Sequence, residues 1–117
     1  MEVLLIINDA NYGSEKAYNA LRTAMNLQKA EEEVQVNIFL MADGVNSAIA
    51  GQKNAKGYYN TERMFKSVLM KGGQVKACGS CAESRGLHNV ELIEGVELSN
   101  MTEFTDWVIA ADKVINY

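Results

Sequence analysis

Proline is absent from this chain, and histidine and tryptophan occur once each. Without proline there is no cis-proline of the kind that faces the dithiol of thioredoxin-like domains, which weighs against that fold for a C-x-x-C pair. With the single histidine, His88, and two cysteines, a Cys/His zinc site is one ligand short of closing within one chain. No recognisable motif joins His88 to a serine nucleophile, so a Ser-His-Asp relay is not indicated. Cysteine is scarce too: Cys78 and Cys81 are the only two. That excludes a disulfide framework of several bridges. Long apolar runs are missing, with nothing near the ~20 residues of a membrane span. The opening "MEVLL" has neither the basic start nor the longer apolar stretch of a secretory signal. Basic residues are outnumbered, for a net charge of −4, which argues against direct nucleic-acid binding. The expected compartment is the cytosol, with no membrane association. Thiols stay reduced there, so a close cysteine pair points to chemistry rather than to a structural bridge.

What remains is an ordinary globular composition, 48% hydrophobic and 22% charged over 117 residues, sized for one domain spanning 1–117. "VLLIIN" (3–8) is a continuous apolar run of the kind that forms a strand buried on both faces. Ala17, Leu21, Ala24 and Met25 recur at helical spacing and predict a helix over 15–30, with Ser14 as its cap. A second strand is expected over 34–41 and a short helix over "ADGVNSAIAG", closed by Gly51. The polar, aromatic stretch 52–60 reads as an exposed loop. Asn60 is expected to cap a helix over 61–71, and "QVKAC" (74–78) is the third strand. Ser80 and Glu83 form an S-x-x-E capping box that opens a short helix, with Cys81 as its first residue. A fourth strand is expected within "VELIEGVEL". Asn100 with Glu103 caps a last helix lined by Met101, Phe104, Trp107, Val108 and Ala111, and "KVINY" ends the chain as a fifth strand. The methionines read as core. Strands alternating with helices indicate an α/β fold: a single-domain three-layer sandwich with a mainly parallel five-stranded sheet.

Ligands of such sheets bind beyond the carboxyl ends of the strands, where Cys78 falls. The ordinary fate of a free cysteine is to be a small buried hydrophobe. A strand end just before a capped helix is a different setting, because the free amides there favour a thiolate, the nucleophilic form. Lys76 and Arg85 are near enough in sequence to add positive charge. The motif alone leaves a working thiol, a redox dithiol and a shared metal site open. "NDANYGSE" lacks the glycine spacing and lysine of a phosphate cradle. Asp9 and Asp43 stand at strand ends but read as turn residues.

"NYGSE", "FLMADGV", "GQKNAKGY", "VKACGSCAESRG" and "DWVIAADKVINY" together resemble the DsrE/DsrF-like family over essentially the whole chain, most closely its YchN-type members. The resemblance implies a five-stranded, mainly parallel sheet, assembly as a hexamer, and relay of sulfur as a cysteine persulfide between carrier proteins. It matches the sulfur-accepting cysteine to Cys78, and Cys81 to a cysteine of YchN-type members. It implies no metal and no organic cofactor. The resulting expectation is a cytosolic persulfide carrier with catalytic Cys78 and Cys81, a sulfur donor protein and an acceptor protein. A non-catalytic oligomeric binding module and a dithiol oxidoreductase are the alternatives. Tyr12, Tyr58, Tyr59 and Tyr117 are the expected anchors between subunits, and the 52–60 loop is expected to cover the site or meet a neighbour.

Overall fold

The two strongest apolar runs of the sequence pair with each other at the heart of the sheet. In a computed structural model, which describes residues 1–55, 57 and 59–117, they form β1 (Glu2–Ile7) and β2 (Gln35–Leu40). The other strands are β3 (Gln74–Cys78), β4 (Val96–Ser99) and β5 (Lys113–Asn116). All pairings are parallel, in the order β4-β3-β2-β1-β5. Burial follows position: five of the six residues of β2 are buried, whereas every residue of the edge strand β5 is exposed. "VELI" (90–93) stays outside the sheet, except that Leu92 makes an isolated antiparallel bridge to Ile49.

The helices are α1 (Lys16–Leu27), α2 (Thr61–Met70), α3 (Gly79–Ser84) and α4 (Met101–Ala110), with 3-10 turns at Ala42–Ala48 and Leu87–Asn89. From β1 to β4 the chain steps across the sheet in one direction, and from β4 to β5 it returns. Right-handed crossovers therefore put α1 and α2 on one face and α4 alone on the other. Leu21, Phe65 and Val68 are fully buried on the first face. On the second, Phe39 meets Phe104 at 4.8 Å and Trp107 at 6.1 Å, both edge to face. Among the described residues no helix is long and apolar enough to cross a membrane.

Two expected caps form as read: Asn60 accepts from the Arg63 amide and Asn100 from the Glu103 amide. α1 starts after Glu15, whose side chain makes no cap, and Ser14 serves the helix from one residue further back: its hydroxyl accepts from the Lys16 amide at 3.3 Å and donates to Asp9 at 3.0 Å. The stripe expected on α4 is wider than one helix can bury. Phe104, Trp107 and Ala111 pack on the core, while Met101 and Val108 lie exposed. The methionines divide similarly: Met25, Met41 and Met64 pack against the core, and Met1, Met70 and Met101 are exposed.

The turn after β2 is pressed against the end of β1. The Met41 amide donates to the Ile7 carbonyl, and the Gly44 amide to the Asn8 and Met41 carbonyls. A Cβ on Gly44 would stand 2.0 Å from the Ile7 carbonyl oxygen, so only glycine fits. Gly44→Ala must push two backbone segments apart and is expected to cost about 1–3 kcal/mol, as overpacking does. Urea unfolding followed by circular dichroism measures this; an unchanged midpoint would show that the turn is not pinned there.

Candidate functional site

Strand β3 delivers Cys78 to the carboxyl edge of the sheet, beside Ser99 of β4. The chain turns into α3 at once, and Cys78 itself is the capping residue: its Sγ accepts from the Cys81 amide at 3.4 Å. This corrects the reading of Ser80 as the cap. Ser80 lies inside α3, with its hydroxyl 3.3 Å from the Cys78 Sγ, and Cys81 is the third helical residue rather than the first. The turn can begin this early because residue 79 is glycine. A Cβ there would stand 2.9 Å from the Ser99 carbonyl oxygen.

Cys78 is a buried residue, 4% exposed, and both cysteines are free. Burial pushes Cys78 up. Hydrogen bonds from the Cys81 thiol and the Ser80 hydroxyl, then from the Cys81 and Ser80 amides, outweigh it and hold its pKa below that of an ordinary cysteine. Cys81 moves the other way. Burial, and then its hydrogen bond to Cys78, raise it against the opposing Ala42 amide. The pair therefore divides into one sulfur favouring the anion and a neighbour holding the proton.

The cations expected to help stand elsewhere. Lys76 is bound to Glu103 at 3.2 Å and lies 5.0 Å over the Trp107 ring. The Ser99 hydroxyl, and then Lys76, hold the Glu103 carboxyl below its usual range, and this cluster docks α4. Arg85 donates to Asp43 at 2.9 Å and to the Cys81 carbonyl at 3.1 Å. It acts on Cys81, whose pKa it lowers, and ties α3 to the turn after β2.

That turn carries a residue the sequence reading missed. The Ala42 amide donates to the Cys81 Sγ at 3.3 Å. To do so Ala42 adopts φ 51, the one positive value among the described non-glycine residues. Such a conformation costs a residue with a side chain roughly 1–2 kcal/mol. The available signal was indirect: "ADG" after a strand, with the constrained Gly44 behind it.

The remaining candidates are dispersed. Asp9 binds Ser14 and Lys16, whereas Asp43 binds Arg85. His88 is exposed in the 3-10 turn after α3. Among the described residues no group of His, Cys, Asp and Glu is arranged to hold a metal. Tyr59 stacks on Tyr18 of α1 at 4.2 Å, with Tyr12 at 5.5 Å. Tyr117 donates to Thr23 at 2.7 Å. Tyr12, Tyr59 and Tyr117 are thus half-buried and engaged within the chain; Tyr58 lies outside the described residues.

The family model described as the DsrE/DsrF-like family matches residues 1–117. The chain belongs to the DsrE/DsrF-like family. It is 35% identical to Protein YchN of Escherichia coli over 116 residues, covering 99% of this chain and 98% of that protein. It is 38% identical to the uncharacterized protein MJ0989 of Methanocaldococcus jannaschii over the full length of both. The crystal structure of YchN from E. coli superposes with a TM-score of 0.93, covering 100% of this chain and 99% of that one. The sheet order and the single-helix face described above are therefore features of a fold already seen in a relative.

The opposite shifts of the two thiols predict their reactivity. Iodoacetamide should label Cys78 with a midpoint below the ~8.5 of a free cysteine, and Cys81 only at higher pH. Ser80→Ala should move the Cys78 midpoint up. Peptide mass spectrometry across pH reads both sites. Labelling of Cys81 ahead of Cys78 would contradict the assignment.

Proposed function

We propose that this protein is a cytosolic sulfur carrier that accepts sulfur on Cys78 and passes it to a partner protein. The observation that carries the proposal is the Cys78 Sγ, held between the Cys81 amide and the Ser80 hydroxyl at the carboxyl edge of the sheet. Membership of a family associated with sulfur relay supports it.

Each step uses Cys78 as an anion. On loading, the Cys78 thiolate attacks the outer sulfur of a donor persulfide. The donor's S–S bond breaks, its thiolate leaves, and Cys78–S–SH remains. On discharge, an acceptor thiolate attacks that outer sulfur and Cys78 departs as the thiolate. The bonds that favour the Cys78 anion make it a nucleophile in the first step and a leaving group in the second. No metal or organic cofactor enters. The Cys81 thiol beside it favours a second reading, a dithiol oxidoreductase cycling between two thiols and a disulfide.

Incubation with a cysteine desulfurase and cysteine separates these readings. A carrier gains about 32 Da, the mass of one sulfur, on Cys78. Cys78→Ser abolishes the adduct and Cys81→Ser keeps it. An internal disulfide in the wild type with no adduct in Cys81→Ser would favour the oxidoreductase, and neither product would favour a binding module.

We also propose that the carrier works as a homo-oligomer, the hexamer that the family resemblance implies. A parallel sheet needs both faces covered, and one face here has α4 alone. On α4, Ile109 is 77% and Met101 57% exposed, and Val114 of the edge strand β5 is exposed too. Exposed large apolar side chains on a thinly covered face suit an interaction surface. Light scattering after size exclusion should give six times the 12.9 kDa of one chain, and Ile109→Asp should lower that mass. A wild type that stays monomeric at all concentrations would refute the assembly.

A further inference from the structure

Cys81 is the fourth residue of the C-x-x-C turn, and its surroundings give it more to do than to occupy a helix. In a helix-opening turn of this kind, the side chains of the capping residue and the third helical residue face each other. Here those residues are Cys78 and Cys81. The Cys81 amide bonds the Cys78 Sγ at 3.4 Å, and the Cys81 thiol helps to hold the Cys78 pKa down. On its far side the Cys81 Sγ accepts from the Ala42 amide at 3.3 Å. The Arg85 guanidinium fastens the Cys81 carbonyl and Asp43 together, so α3 and the Ala42 turn hold Cys81 from both ends. A left-handed alanine is an unusual device for a sulfur that merely fills space.

We infer that Cys81 is a resolving thiol that attacks the Cys78 persulfide and releases the carried sulfur as hydrosulfide. The inference rests on the sulfur-carrier reading and adds a second outlet to it, used when no acceptor protein is docked. The step balances within the chain. Cys81–SH and Cys78–S–S⁻ give the Cys78–Cys81 disulfide and HS⁻. The Cys81 sulfur supplies the electron pair of the new bond to the Cys78 Sγ, and its proton passes to the departing sulfur. The bond between the Cys78 Sγ and the outer sulfur breaks. The outer sulfur gains two electrons and the two cysteine sulfurs lose them. A dithiol reductant then returns the pair to thiols.

The local chemistry orders these events. In the unloaded protein, burial and then the hydrogen bond to Cys78 favour the protonated form of Cys81, and the pair is at rest. Loading turns the Cys78 Sγ into a bridging sulfur, a site for attack rather than a seat of charge. The proton held on Cys81 is the one the departing sulfur takes.

The test uses the whole chain, loaded with inorganic polysulfide without air and then desalted. Intact mass under non-reducing conditions and dissolved sulfide are followed with time. In the wild type, the adduct of about 32 Da on Cys78 should decay to a form about 2 Da lighter than the reduced chain, with about one sulfide released per loaded chain. Cys81→Ser, close to isosteric, and Cys81→Ala should each hold the adduct at least about tenfold longer. Equal lifetimes in wild type and both variants, with no Cys78–Cys81 disulfide peptide, would overturn the release step and leave the carrier standing. Failure of the Cys81→Ser protein to carry any adduct on Cys78, with its fold intact by circular dichroism, would overturn both.

Discussion

The bond from the Cys81 amide to the Cys78 Sγ is the constraint on which the site depends. A sulfur placed as a helix cap does what an aspartate or serine oxygen does at other helix starts: it accepts an amide that would otherwise lack a partner. Here the acceptor is also the reactive atom. Stabilising the fold of the turn and stabilising the thiolate are the same interaction. That explains why the motif is so short. Cys78 must be the last residue of β3, and Gly79 must let the chain pass the Ser99 carbonyl. Ser80 must bring its hydroxyl back to the sulfur, and Cys81 must supply both an amide and a thiol.

The sheet supplies the other half of the arrangement. Cys78 ends a strand flanked on both sides: β4 pairs with it directly at Ser99, and β2 holds the strand up to Ala77. The Ala42 turn is fixed in turn by β1, against which Gly44 is pressed without room for a methyl group. Cys81 is thus located by two rigid neighbours that are far apart in sequence. Preorganisation of this kind places donors around a reacting sulfur before any partner arrives. The lone helix α4 reaches the site through Ser99, the β4 partner of Cys78, whose hydroxyl donates to Glu103. Its polar anchor through Lys76, Glu103 and Ser99 sits behind the site, and its apolar outer side faces away from its own sheet.

Much of the architecture was legible before any coordinates. A continuous apolar run marked β1, the largely apolar stretch 34–41 marked β2, and "QVKAC" marked β3 to the residue. Asn60 and Asn100 announced α2 and α4, because asparagine before a helical repeat has few other uses. The errors share a cause, namely that long-range neighbours decided the local choice. "S-x-x-E" at 80–83 is a sound local signal for a cap, but the crossing of Gly79 over Ser99 starts the helix earlier and hands the cap to a cysteine. Lys76 is two residues from Cys78, yet Glu103 and Trp107 claim its ammonium from across the chain. Ala42 left no mark of its own, since nothing about alanine suggests a left-handed backbone. Both cysteines were found because the motif is dense with chemistry, whereas the direction of Cys81 depended on that unreadable turn.

The claim at the centre of this account is that hydrogen bonding splits the two thiols, leaving the charge on Cys78 and the proton on Cys81. Carbon-13 labelling of the cysteine Cβ atoms, with NMR spectra recorded across pH, reports each ionisation separately in the reduced protein. The account predicts that the Cys78 resonance titrates below the ~8.5 of a free cysteine and that of Cys81 above it. If Cys81 titrates first, or both follow an ordinary cysteine, the capping bond does not govern the chemistry of this pair.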